Sequence, residues 1–319
     1  MRPWWLTRQA LRAKDGRLRP SWRALLFLPV FLAGMFLVFV VVSFVPEGGG
    51  GRFGLRPLVG GAGGVLAALA ASFVLLDVAD KRPFQTLGVW FYDGWGKELA
   101  LGLGGGMVLI TAMVAPLAAS GSISIRPAPF EPLGLLIGLA WSMAILVPAA
   151  AFEELLFRGY LYQRLVEGWG PWIPTVGLSL LFGLVHFNNP NATWFSTANT
   201  VLAGIWLAVA YLKTRALWLP IGVHFSWNFV MGFGYGLPIS GQVLPWKLLE
   251  AAPAGPVWLT GGDYGPEGSI LCTGVLVVMT AWMIKSDWLR VAPQMAAQLD
   301  GPGAPAVPTA TMNAAERNP

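Results

Sequence analysis

The sequence contains few charged residues, a single cysteine and only two histidines. Charged side chains make up 12% of the 319 residues, whereas soluble globular domains carry roughly 25%. Hydrophobic residues make up 55%, and the mean hydropathy is +0.60. So little charge cannot give the chain a hydrated surface, which excludes a soluble protein and predicts that lipid is its main solvent. Because Cys272 is the only cysteine, an intramolecular disulfide is also excluded.

Long apolar runs are what the chain has instead. A membrane-spanning helix needs about 20 mostly apolar residues. Eight runs approach or reach that length, at 24–45, 57–76, 98–119, 133–157, 172–187, 195–212, 216–236 and 268–285. They predict an all-α fold, a polytopic membrane bundle of about eight transmembrane helices. The fifth and sixth runs are the weakest, because only the turn-forming residues 188–191 separate them.

The placement of the basic residues indicates the orientation of the bundle. With an inward N-terminus and eight spans, 17 of the 21 lysines and arginines lie on the inner side and four on the outer side. This agrees with the positive-inside rule. We therefore interpret the net charge of +5 as a topology signal and not as a nucleic-acid site. Both termini are expected to be cytoplasmic, 46–64 to be a loop, and 237–267 to be an external loop.

Four parts of the chain follow from these runs. Residues 1–23 form a basic cytoplasmic N-terminus, and residues 24–130 contain the first three transmembrane helices. Residues 131–286 contain the remaining helices and the polar residues that suggest chemistry. Residues 287–319 include an Ala/Pro-rich stretch without apolar periodicity, which predicts a disordered cytoplasmic tail.

Two neighbouring carboxylates follow the fourth apolar run. An ionisable side chain in hydrocarbon costs about 2.5–3.5 kcal/mol on insertion scales, so such residues indicate a functional site. Glu154 and Arg158 are four residues apart and share a helix face, so they can pair. Glu153 is rotated by about 100° from Glu154 and can take a different role. The alternative interpretation is that these residues mark the water-exposed end of the helix.

Both histidines also lie in apolar segments. His186 follows Phe182 by one helical turn, and His224 precedes Asn228 by one turn. A single histidine in such a segment is more often structural. Here, however, two histidines, an amide and two carboxylates all need polar partners, and in lipid they are the cheapest partners for one another. The pattern therefore predicts one polar site inside the bundle.

That set of groups is suited to hydrolysis. A carboxylate and a histidine beside one water molecule form a general-base pair. A second histidine and an amide can donate to a developing oxyanion, and each such donor contributes about 2.7–4 kcal/mol. The soluble zinc-protease signature H-E-x-x-H is absent. No serine nucleophile with a histidine and an aspartate is evident.

Three motifs, in this order and on separate predicted helices, resemble those of the CAAX prenyl endopeptidase and bacteriocin-processing family, also called CPBP or ABI. They are Glu153-Glu154-x-x-x-Arg158, Phe182-x-x-x-His186 and His224-x-x-x-Asn228. The stretches 157–159, 199–204 and 217–222 are similar too, as is 265–269, which contains Glu267. The resemblance covers about 131–286, and it is specific because three motifs occur together.

This resemblance implies a CAAX-type intramembrane endopeptidase in a bacterial-type plasma membrane. Its partners would be the lipid bilayer and membrane-associated or lipidated protein or peptide substrates, with no nucleic acid. Glu153 would activate water with His186 beside it, and His224 and Asn228 would stabilise the oxyanion. The supporting residues would be Glu154, Arg158 and Phe182.

The resemblance does not decide whether the mechanism uses a zinc ion or is metal-free. Glu153, His186 and His224 would be the ligands of a zinc ion with an open fourth position. Asn228 is a poor zinc ligand but a good amide donor, which favours a metal-free site in which glutamate activates water.

Two other functions stay open. One is a catalytically silent membrane immunity or interaction protein, although such a protein has no need of four costly polar groups. The other is a proton-coupled transporter, although the sequence shows no inverted repeat of the kind that many transporters have.

The charge distribution generates a test of topology. We expect a cysteine introduced at residue 310 to be protected from a membrane-impermeant thiol reagent in intact cells, and one introduced in 237–267 to react. The native Cys272 is replaced by alanine as background. Reaction at position 310 in intact cells would contradict the predicted orientation.

Overall fold

The computed structural model describes residues 11–13, 16–46, 54–129 and 131–299 of the chain. These residues form a helical bundle with one small β-sheet. The helices are α1 Pro20–Ser43, α2 Leu55–Leu75, α3 Trp95–Ala119, α4 Pro132–Arg158, α5 Tyr160–Trp169, α6 Trp172–His186, α7 Trp194–Thr214, α8 Trp218–Phe229, α9 Val257–Thr260, α10 Ile270–Lys285 and α11 Pro293–Leu299. π-Helical turns at Leu76–Asp80 and Val230–Gly234 continue α2 and α8.

All eight predicted apolar runs coincide with helices, and the predicted all-α membrane bundle is confirmed. Five helical segments among the described residues are long and apolar enough to cross a membrane: Pro20–Ser43, Leu55–Asp80, Trp95–Ala119, Pro132–Trp169 and Trp194–Thr214. The other three runs form the shorter helices α6, α8 and α10.

The turn between α6 and α7 lies where the sequence predicts it. α6 ends at His186, and α7 begins after a capping box in which Thr193 and Ser196 each accept a hydrogen bond from the backbone N–H of the other. This cap starts α7 immediately after the 188–191 turn. His186 is thereby held at the end of a helix, beside the loop that follows.

The Gly-rich segment 46–64 is helical from Leu55 onward, so the predicted loop is wrong for 55–64. Its glycines serve helix packing instead. A Cβ added to Gly64 would lie 2.9 Å from the ring of Phe152, and one added to Gly63 would lie 2.6 Å from Val38. Small residues allow membrane helices to approach closely, so α2 packs tightly against α1 and α4.

A two-stranded antiparallel sheet was not predicted. β1 (Ile123–Pro127) pairs with β2 (Leu249–Pro253), with Ile125 opposite Ala251. The predicted external loop 237–267 therefore contains a strand, and short helical turns follow it. Strands of five residues are too short for their alternation to stand out beside membrane helices.

A single residue interrupts the helix at the end of α4. Gly159 separates α4 from α5, and a Cβ at this position would lie 2.1 Å from the carbonyl oxygen of Leu155. Glycine therefore allows the chain to turn directly after Arg158. Because α4 ends there, the motif residues Glu153, Glu154 and Arg158 lie in its last two turns.

Part of the C-terminal segment predicted to be disordered has structure. α11 occupies 293–299, and the Gln294 side chain donates to Asp93 Oδ2 at 2.6 Å. Its sequence carries too little apolar periodicity to predict a helix. Residues 300–319, like the basic residues 1–10, lie outside the described part of the chain.

A buried charge cluster joins the first helices to the rest of the bundle. Arg23 on α1 forms ion pairs with Asp80 at the end of α2 and with Glu167 on α5. Arg164 lies 3.3 Å from Asp80 and 2.8 Å from Glu167. These four side chains are almost fully buried. They fix α1 and α2 against α5, and thereby against the neighbouring α4.

Candidate active site

The three sequence motifs lie on three helices that meet around one cavity. α4 carries the two glutamates and Arg158, α6 carries Phe182 and His186, and α8 carries His224 and Asn228. The cavity has a volume of about 270 Å³. Five of the seven predicted site residues line it: Glu153, Phe182, His186, His224 and Asn228. Glu154 and Arg158 lie behind this wall, fully buried in the protein.

Glu154 holds the helices of the site together. Its Oε1 atom accepts a hydrogen bond from Arg158 Nη1 at 3.0 Å and another from His224 Nδ1 at 2.8 Å. Arg158 Nη2 donates to the carbonyl oxygen of Gly204 on α7 at 2.9 Å. One carboxylate and one guanidinium thus connect α4, α7 and α8. The interpretation that these residues mark a water-exposed helix end does not fit their burial.

Glu153 points into the cavity toward both histidines. Its Oε2 atom lies 3.6 Å from His224 Nε2 and 3.9 Å from His186 Nε2. These separations are longer than direct hydrogen bonds. Oε2 is buried and has no hydrogen-bond partner among the described residues. Such an atom is available to accept a hydrogen bond from a small ligand held between the three side chains.

The other ring nitrogen of each histidine is already engaged. His186 Nδ1 lies 2.8 Å from the carbonyl oxygen of Phe182, to which it donates. His224 Nδ1 donates to Glu154. These bonds assign the proton to Nδ1 in both rings. The Nε2 atoms of both rings lie toward Glu153. In the neutral imidazoles each Nε2 atom therefore carries a lone pair.

Phe182 packs against both imidazoles of the site. Its ring centroid lies 4.5 Å from that of His186 and 6.3 Å from that of His224. The Arg158 guanidinium carbon lies 5.0 Å from the centroid of the same ring, within the range of a cation–π contact. Phe182 is 3% exposed, so it restricts the orientation of both histidines.

Asn228 follows His224 by one turn of α8 and lines the cavity beside it. Residues three or four apart on a helix are neighbours on its surface. The Asn228 amide forms no hydrogen bond with another side chain or carbonyl in the described part of the chain. Because Asn228 lines the cavity, its amide can donate to a molecule bound there.

Several residues that line the cavity were not identified from the sequence as site residues. Pro57 and Gly61 come from α2, in the part of the chain to which the sequence assigned no role. Others come from α7, from the loop after α8 and from α10: Asn199, Trp206, Ser240, Gln242, Glu267 and Cys272. Glu267 lies in a stretch that resembles the family. Nothing in the sequence indicates the contribution of α2, which depends on how the helices pack.

The donor set is also one that zinc uses. Glu153, His186 and His224 supply one carboxylate and two imidazoles. Metal-binding histidines commonly donate their other N–H to a carboxylate or a backbone carbonyl, as His224 and His186 do here. Yet no group of three or more His, Cys, Asp or Glu side chains in the described part of the chain is spaced to hold a metal. The residues fit the ion chemically, although they are not spaced as its ligands.

Comparison with known proteins identifies one family. Residues 135–230 match the family described as type II CAAX prenyl endopeptidase Rce1-like. All three motifs lie within this segment, so the resemblance seen in the sequence is confirmed. No curated protein and no solved structure matches the chain.

The contacts of Arg158 generate a test of its structural role. Arg158→Ala leaves the buried Glu154 carboxylate with one donor fewer, and breaking a buried pair in this way costs about 3–5 kcal/mol. We expect a lower yield of folded protein and a lower midpoint of thermal unfolding in detergent. Arg126→Ala is the matched control, because the Arg126 side chain is 79% exposed and such pairs contribute about 0–1 kcal/mol. Equal stability of the two variants would contradict this role.

Proposed function

We propose that this protein is an intramembrane endopeptidase, because residues 135–230 match the family described as type II CAAX prenyl endopeptidase Rce1-like. It hydrolyses peptide bonds in membrane-associated or lipidated substrates, with C-terminal CAAX-type processing as the activity that the family suggests. The observation that best supports this proposal is the convergence of Glu153 Oε2 with the Nε2 atoms of His186 and His224 in one cavity.

Glu153 is the general base in this proposal. A water molecule between Glu153 Oε2 and His186 Nε2 donates one hydrogen bond to each, which orients its oxygen lone pair toward the substrate. As the water oxygen forms its bond to the carbonyl carbon, its proton moves to Glu153. When the C–N bond breaks, Glu153 returns that proton to the leaving amine nitrogen. The carboxylate is thereby regenerated without a covalent intermediate.

His224 and Asn228 stabilise the negative charge that develops on the carbonyl oxygen. The Nδ1 proton of His224 is donated to Glu154, so Nε2 can donate only when the ring is protonated. Glu154, at 2.8 Å, supplies the counter-charge for that form. The Asn228 amide is the second donor. Each donor of this kind contributes about 2.7–4 kcal/mol to transition-state stabilisation.

The supporting residues position other parts of the site. Glu154 and Arg158 fix the ring of His224 and the end of α4, while Phe182 restricts both imidazoles. If zinc binds, its ligands would be Glu153, His186 and His224, and the ion would act as a Lewis acid on water or on the carbonyl group. The proposal favours the metal-free site, because Asn228 in the third motif is an amide donor.

The substitution that tests the base is Glu153→Gln. It preserves the shape of the side chain but removes the proton acceptor, so hydrolysis should fall by about 10²–10⁴-fold, the usual contribution of general-base catalysis. Binding of substrate should survive, since the cavity is unchanged. The measurement is cleavage by purified protein in proteoliposomes, using fluorogenic peptides with and without a C-terminal prenyl group. Glu250→Gln is the control, because Glu250 does not line the site cavity.

The same preparation separates the alternatives. Full activity of Glu153→Gln would contradict its role as base. Zinc content by mass spectrometry that falls together with activity during chelation would replace the metal-free mechanism and leave the site residues in place. Absence of cleavage together with proton-coupled flux across the liposome membrane would support a carrier instead.

A further inference from the structure

Glu267 is a carboxylate in the site cavity that the proposed chemistry does not use. It lies in the short 3-10 turn Pro266–Gly268, between the loop that follows α8 and the start of α10. Its side chain lines the same cavity as Glu153, His186 and His224. A charged group in such a place needs partners, and the partners of Glu267 identify what it does.

Three hydrogen bonds reach the two oxygens of this carboxylate. Trp227 Nε1 donates to Oε1 at 3.0 Å. The Ser240 backbone N–H and hydroxyl both donate to Oε2, at 2.6 and 2.7 Å. All three donors are neutral, and hydrogen bonds to an ionised acceptor are roughly twice as strong as those between neutral groups. Glu267 therefore links α8 to the loop that follows it.

On the α8 side, the bond reaches the helical turn that carries the proposed oxyanion donors. Trp227 lies three residues after His224 and directly before Asn228. Trp227 is 6% exposed and packs against Trp206 of α7, with ring centroids 5.8 Å apart. Holding the indole N–H thus restricts rotation of this part of α8, and with it the direction in which His224 and Asn228 point.

On the loop side, the bonds hold a strained turn in the cavity wall. Ser240 has φ +46°, a left-handed conformation that non-glycine residues rarely adopt. Its neighbours Ile239 and Gln242 line the cavity with it, and the Ile239 N–H donates to the Gln242 carbonyl at 2.8 Å. The two hydrogen bonds from Ser240 to Glu267 offset this strain and keep the wall segment 239–242 in place.

Glu267 itself rests on a fixed support. The Asn199 side-chain amide of α7 donates to the backbone carbonyls of Glu267 and Ser269, at 2.8 and 2.9 Å. Thr273 of α10 donates to Asn199 Oδ1 at 2.6 Å. Asn199 is 2% exposed, so water does not compete for these hydrogen bonds. The carboxylate is therefore anchored between α7 and α10, and it can hold the wall segment 239–242 and the Trp227 turn of α8 relative to these two helices.

We propose that Glu267 is a positioning residue for the reaction proposed above, on which this inference rests. Its ionised carboxylate holds the wall segment 239–242 and the Trp227 turn of α8 at a fixed separation. This sets the width of the cavity and the direction of His224 and Asn228. Both oxygens of the carboxylate must accept, because a glutamine has only one side-chain oxygen and would place an N–H group against the donors of either Trp227 or Ser240.

Cys272 provides a readout that does not depend on proteolysis. It is the only cysteine of the chain, lines the cavity and is 2% exposed. Its rate of reaction with N-ethylmaleimide in the folded protein therefore reports how often the cavity opens. Loss of hydrogen bonds to a charged group should raise that rate by about tenfold or more in Glu267→Gln.

Two further variants make the experiment specific. Ser240→Ala removes the hydroxyl donor and keeps the backbone donor, so it should raise the labelling rate less than Glu267→Gln. The double variant should label no faster than Glu267→Gln alone, because both changes remove the same interaction. Glu250→Gln, which loses a carboxylate paired with Arg126 and Lys247 outside this cavity, should label like the wild type. Should Glu267→Gln fail to fold, Ser240→Ala and its comparison with Glu250→Gln carry the test.

Peptide cleavage adds the second readout. Glu267→Gln should raise KM through the loosened wall and lower kcat through the displaced donors, whereas Ser240→Ala should change KM alone. Unchanged labelling and unchanged KM in an active Glu267→Gln protein would overturn this inference and leave the proposed function standing. Faster labelling of the variants, with no cleavage even by the wild type, would support the positioning by Glu267 and overturn the proposed function.

Discussion

The site depends on one buried oxygen atom, Oε1 of Glu154, which accepts hydrogen bonds from Arg158 and His224. Within a membrane bundle there is no bulk water to replace a lost partner, so such contacts are costly to break. Through them the end of α4 is joined to α8, and Arg158 extends the connection to α7 through Gly204. The orientation of the His224 ring, and therefore the place of its Nε2 atom in the cavity, follows from this interaction.

The two adjacent glutamates have different roles, one in helix packing and the other in the proposed chemistry. Successive residues on a helix point about 100° apart, so one carboxylate can enter the packing between helices while the other enters the cavity. Glu154 is fully buried and engaged with Arg158 and His224. Glu153 is 27% exposed and faces two imidazole nitrogens without a direct bond to either. Two hydrogen bonds to Oε1 hold the Glu154 side chain in place, whereas Oε2 of Glu153 has no partner among the described residues and faces the cavity, which suits it to the role of base that we propose.

Much of this arrangement could be predicted from the sequence, because it depends on local periodicity. The eight apolar runs predicted the helices, and the four-residue spacing of Glu154 and Arg158 predicted their ion pair. The contact between Glu154 and His224 could not be predicted in the same way, since 70 residues separate them and only the packing of α4 against α8 brings them together. The sequence predicted that the polar groups on the three helices would meet, but not that His224 would pair with Glu154.

Other features were missed for the same reason. Glycines near the start of α2 indicated a loop, but they allow α2 to pack against α1 and α4 and to contribute Gly61 to the cavity. In the sequence, Glu267 stands out only as part of the stretch 265–269, which resembles the family. Its role depends on Trp227 and Ser240, which come from two different segments. Charge and spacing identify which residues are unusual, whereas packing decides which of them meet.

In the mechanism that we propose, this site cleaves peptide bonds by direct attack of an activated water molecule. The most direct test follows the first turnover of purified wild-type protein in proteoliposomes prepared in H₂¹⁸O, with intact-mass analysis of the protein and the products. We expect an unmodified protein mass throughout, together with one ¹⁸O atom in the new C-terminal carboxylate. A transient protein adduct with the mass of the acyl fragment would show a covalent nucleophile and contradict the account.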